Sequence, residues 1–213
     1  MKKPILLIIV SLFIIALNVP CYAMQVIESH QLAQFNTNDL WGEVRGVRTT
    51  GQWGKYVRFR LYMPDDYTGK IQGNLLIDGQ ASNINFSFLP GGIIKIFEFK
   101  TINPNMIFWI IKDNSSDNKG LTYDFYLIGP YKGSYTKYVT MDNLVGMGWS
   151  SVNMKVRQLI TKGGWPVLQG YSDNGNSLVL TENLVLSWDP EAIWFKMDNY
   201  PLNTPVREII PDN

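Results

Sequence analysis

The chain has 213 residues, 17% of them charged and 13% aromatic, with a formal net charge of +1. This is a globular composition, far from the low-hydrophobicity, high-charge corner of disordered chains. Near-neutral charge gives no reason to expect nucleic acid or an anionic membrane surface as partner. A single cysteine and a single histidine leave almost nothing from which to build a familiar zinc site.

The first segment is read as residues 1–23, an export signal. Lys2 and Lys3 precede Ile5 to Leu17, which are apolar apart from Ser11; Cys21-Tyr22-Ala23 then closes with a small-x-small pattern. A charged head, a short apolar run and small residues at the end define a secretory signal peptide. The apolar run is 13 residues long, whereas a stable transmembrane helix needs about 20. Pro20 stands before Cys21 where a lipoprotein signal carries a small residue, so cleavage after Ala23 is expected rather than lipidation. The mature chain from Met24 then holds no cysteine and carries 17 basic and 18 acidic side chains. After cleavage no transmembrane anchor is expected, and the expected location is the periplasm or the exterior. Without a disulfide it depends on its core.

"ESHQLAQF" near the mature start is expected to form one or two helical turns. "KYVRFRLYM" carries the clearest alternation: Val57, Phe59, Leu61 and Met63 to one side, Tyr56, Arg58, Arg60 and Tyr62 to the other. "PDDYTGK" ends it with turn residues. "NLLIDGQASNINFSF" reads as a hairpin about Asp78-Gly79, with Ile84, Phe86 and Phe88 on one face. "PGG" at 90–92 is a break, and "IIKIFEFKTI" is a strand with mixed faces. "MIFWIIK" is a continuous apolar run that suits a strand buried on both sides. A polar loop, "DNSSDNKG", leads to "LTYDFYLI", which alternates again. "GPYKG" at 129–133 is the most plausible seam.

Beyond it, "SVNMKVRQLI" and later short strands alternate with "KGG", "SDNGN", "EN", "DP" and "DN". The glycine-rich spots open no helix, so they read as turns rather than phosphate cradles. Short strands at this spacing predict an all-β fold, an antiparallel β-sandwich or a barrel-like arrangement. The division expected is 24–130 for an N-terminal sandwich-like unit and 131–213 for a C-terminal β unit, within one domain or as two small units in tandem.

The strongest binding candidates are Trp53, Tyr56, Arg58, Arg60 and Tyr62. Arginines between tyrosines pair with carboxylates and stack on flat groups, and these residue types concentrate at binding surfaces. The bland reading is a charged solvent face that discourages aggregation. Asp113, Ser115, Asp117 and Asp124 match positions one, three, five and twelve of a calcium loop. Two departures weigh against calcium: Asp124 is shorter than the usual bidentate glutamate, and no helix flanks the loop. Glu98, Asp124, Asp142, Asp189 and Glu191 are the acids a glycoside hydrolase would have to pair. Turn chemistry accounts for Asp189, and Lys95 and Lys100 are near enough in sequence to partner Glu98. His30 reads as an ordinary surface residue. The expectation is a non-catalytic exported protein that binds a glycan, an envelope component or a protein partner. The rivals are a polysaccharide hydrolase with paired carboxylates and a secreted assembly subunit that lends its strand edge to another chain.

Overall fold

The computed structural model describes residues 24–65, 69–102, 104–114, 124–140, 154–159, 167–173 and 178–200. The signal segment therefore lies outside the described residues. Among the described residues, thirteen strands form three antiparallel sheets. In chain order they are β1 (Gln25–Asn36), β2 (Arg45–Thr50), β3 (Tyr56–Tyr62), β4 (Ile71–Ile77), β5 (Gln80–Phe88), β6 (Ile93–Ile102) and β7 (Ile107–Asn114), followed by β8 (Phe125–Tyr131), β9 (Ser134–Thr140), β10 (Met154–Leu159), β11 (Val167–Asp173), β12 (Leu178–Asp189) and β13 (Trp194–Tyr200). The N-terminal sheet runs β2-β3-β4-β5, the central sheet β1-β6-β7-β8-β9 and the C-terminal sheet β10-β11-β12-β13. The sandwich expectation holds. The barrel-like alternative does not, because each sheet is an open ladder with two edges. Among the described residues no helix is long and apolar enough to cross a membrane.

The central sheet is the middle layer. Ile94, Ile96, Trp109 and Ile111 face a core shared with Val57, Phe59 and others of the N-terminal sheet. Phe97, Phe99, Phe108 and Ile110 face a second core that takes Leu186 and Phe195 from the C-terminal sheet. This is why "MIFWIIK" shows no alternation. A strand with packed layers on both sides has no polar face. The same logic makes β6 apolar on both sides, with Lys95 and Glu98 buried among its neighbours.

The helical expectation for "ESHQLAQF" is corrected. These residues form β1, paired antiparallel along nearly the whole length of β6, with shifts between Val26 and Glu28 and between Gln31 and Ala33. An isolated helix of two turns is marginal in water. Without β1 the apolar β6 would be an uncovered edge, so ladder hydrogen bonding and tertiary contact override local propensity.

Asp78-Gly79, "PGG" and Asp189-Pro190 turn the chain as read, whereas Glu182-Asn183 and Asp198-Asn199, read as breaks, are corrected: they lie inside the paired strands β12 and β13, where ladder bonding overrides turn propensity. Asp78 and Gly79 have φ values of 51° and 84°, both positive, as a two-residue hairpin of the mirror-image type requires. The "PGG" break is held by buried Thr37, whose hydroxyl oxygen accepts from the amides of Gly91 and Gly92 at 2.9 Å each. "GPYKG" forms the end of β8 and its hairpin turn into β9, with Tyr131 paired to Ser134. The sequence boundary at 130/131 thus falls within a hairpin of the central sheet. Gly129 lies there because any Cβ would run into the ring of Phe108.

Candidate functional site

Strand β3 presents its two faces as the alternation requires. Val57, Phe59 and Leu61 are fully buried, and Tyr56, Arg58, Arg60 and Tyr62 occupy the outer face of the N-terminal sheet. Register builds that face in rows. Arg58 stands between Arg48 of β2 and Leu76 of β4. Arg60 stands between Gly46 and Asn74, and Tyr62 is paired with Gln72. Arg48, Tyr56, Arg58, Leu76, Asp78 and Gly79 line a concavity of about 490 Å³ over this face.

The charges here are unbalanced. Arg48 and Arg58 are direct cross-strand neighbours, an arrangement of like charges that costs stability. Neither has an ion pair among the described residues, in contrast to Arg45, whose guanidinium lies 2.6 Å from Glu43. Asp78 is the acid at the end of the concavity. Its Oδ1 accepts the Tyr56 amide at 2.9 Å, which fixes the hairpin base. Arg60 lies over the ring of Tyr62 at 5.4 Å, a cation–π contact. Its Nε and the Oδ1 of its partner Asn74 are both buried without a hydrogen bond. Tyr56 is 71% exposed, so an aromatic ring stands in water beside two guanidinium groups.

Trp53 is placed elsewhere. It sits in the β2–β3 turn at φ 59°, its ring edge-on to Tyr135 at 5.6 Å. That turn is tied to the central sheet: Gln52 donates to Asn105 O at 3.0 Å and accepts from the Ile107 amide at 3.1 Å. The Tyr135 hydroxyl donates to Gln52 O, and burial pushes its pKa up to about 12. The structure therefore brings together Tyr56, Arg58, Arg60 and Tyr62 with Arg48, and holds Trp53 at the rim between sheets. Sequence reasoning missed Arg48. Its only signal was the weak alternation of "RGVRTT", which acquires meaning once β2 is registered against β3.

The other candidates resolve as follows. Asp113 is buried; its amide donates to Asp124 O at 3.1 Å, and its Oδ1 accepts the Asp124 amide at 2.8 Å. These bonds close the base of the loop. Ser115 and Asp117 lie outside the described residues, as does Asp142. Among the described residues no cluster of three or more acids or histidines could hold a metal.

Glu98 is buried between the N-terminal and central sheets. Its Oε2 accepts from the Thr49 hydroxyl at 2.7 Å and from the Trp109 indole at 3.0 Å. Lys100 Nζ lies 4.0 Å from its other oxygen. Lys95, offered by sequence as a partner, belongs to the opposite face of β6, because odd and even positions of a strand point apart. Asp189 is the turn acid expected: it accepts from the Glu191 and Ala192 amides and pairs with Lys196 at 2.6 Å. The Lys196 hydrogen bond, foremost, holds its pKa below the ordinary carboxylate value. His30 is exposed on edge strand β1, with Nδ1 3.7 Å from Glu28.

The described fold is thus a three-layered antiparallel β protein with an arginine- and tyrosine-bearing outer face. No family model matches the chain, and no curated protein or solved structure matches it either.

Proposed function

We propose that this chain is an exported, non-catalytic binding protein of the bacterial envelope or exterior, which grips a glycan, an envelope component or a protein partner with the outer face of β2, β3 and β4. The observation that carries this reading is the pair Arg48 and Arg58, unneutralised and adjacent, beside exposed Tyr56 in one concavity. Arginine and tyrosine are the residue types that dominate binding energy at interfaces. Hydrolysis by paired carboxylates needs two acids across a cleft. In this concavity Asp78 is the acid among the described residues, and one of its oxygens already serves the Tyr56 amide.

Two measurements test the reading. Arg58→Ala with Arg60→Ala is expected to weaken binding in an envelope-extract and glycan screen by about tenfold or more, since truncating one arginine hot spot commonly costs over 1 kcal/mol. The unfolding transition of the double variant is expected to stay cooperative. Undiminished binding removes this face from consideration. For export, the intact mass of the native polypeptide is expected to correspond to a chain beginning at Met24; retention of residues 1–23 overturns that part.

A further inference from the structure

We propose that the ligand of this face is an acidic glycan, whose carboxylate is held between Arg48 and Arg58 while the sugar ring lies against Tyr56 and Leu76. The inference rests on the binding reading above and gives its ligand a chemistry.

Two observations select it. Arg48 and Arg58 face each other across β2 and β3 with no acid paired to either among the described residues. An oxyanion placed between them converts a repulsive pair into two charge-assisted, fork-shaped contacts. Next to them the apolar surfaces of Tyr56 and Leu76 line the same concavity. An amphipathic ring such as tyrosine covers the C–H face of a sugar while its hydroxyl stays wet.

Position on the sheet disfavours an acidic peptide. Peptides recognised by sheets usually add a strand to an exposed edge and gain main-chain hydrogen bonds. Here the site lies on the face of β2, β3 and β4, where Arg48, Arg58, Tyr56 and Leu76 project out of the sheet rather than along the open backbone edge of β2. The concavity also falls within the size range of small-ligand sites.

The test titrates the protein, expressed from the full chain, with polygalacturonate, with the same polymer after carboxyl reduction, and with poly-glutamate. Binding to polygalacturonate is expected, at least about tenfold tighter than to either control. Arg48→Ala with Arg58→Ala is expected to lower it about tenfold or more, and Arg48→Lys with Arg58→Lys to lower it part-way, because lysine keeps the charge and loses the fork. The alanine pair is expected to unfold no earlier than the parent, since it removes a like-charge contact. The lysine pair supplies the binding readout should the alanine pair fold poorly. Equal affinity for the reduced polymer overturns the anionic assignment and leaves the glycan-binding reading standing. Equal affinity for poly-glutamate overturns the glycan assignment. Binding that both arginine pairs leave intact, or no binding to any of the three, overturns the proposal; in the last case the envelope-extract screen still judges the broader reading.

Discussion

Trp109→Ala is expected to lower the free energy of unfolding by about 3–5 kcal/mol, the range for removing a large aromatic side chain from a packed core. Trp109 is fully buried in the middle of β7. Its ring meets Phe59 edge-on at 5.5 Å and Tyr135 at 5.3 Å, so it joins the N-terminal sheet to the central one. Its surroundings leave little room for relaxation: a Cβ on Gly51 would come within 3.0 Å of the indole. Truncation therefore opens a cavity and also removes a donor from Glu98. Denaturant titration checks this, with the midpoint falling and the slope unchanged. A loss below about 1 kcal/mol would show that the two sheets close over the gap, contrary to the rigid packing described. Trp109→Phe should lose less, because most of the ring volume stays.

Glu98→Ala is the second large effect expected. The carboxylate is 4% exposed and serves the Thr49 hydroxyl and the Trp109 indole through one oxygen. Removing it strands the buried Trp109 indole donor, at about 1–3 kcal/mol, and leaves the part-buried Thr49 hydroxyl without its acceptor. Glu98→Gln keeps shape and one acceptor oxygen, so it should be clearly milder than alanine. If alanine and glutamine variants unfold at the same midpoint, the hydrogen bonds are not what Glu98 contributes. Trp109→Ala and Glu98→Ala share a bond, so their losses should fall short of additivity when combined.

What was legible in the sequence was local. The two faces of β3, the hairpin at Asp78-Gly79 and the doubly buried β7 follow from side-chain period and turn chemistry within a few residues. What was not legible depends on which strand pairs with which. "ESHQLAQF" carries no strong strand pattern, and its conformation is decided by β6, some seventy residues on. Of the two lysines matched to Glu98 by proximity in sequence, Lys100 lies 4.0 Å away and Lys95 points to the other face, while its hydrogen-bonding Thr49 lies 49 positions off. Arg48 became part of the binding face only through its place opposite Arg58. The spacing of the calcium-loop acids likewise gave no sign of the Asp113–Asp124 hydrogen bonds at the base of that loop.

The doubly faced middle layer has a consequence for anyone shortening this polypeptide. A version stopped after Thr140 would strip Leu186, Phe195, Trp188 and Trp194 from Phe108 and Tyr138. That would leave a broad oily plane of aromatic rings facing solvent. Such a product would be expected to clump rather than behave as a well-mannered miniature.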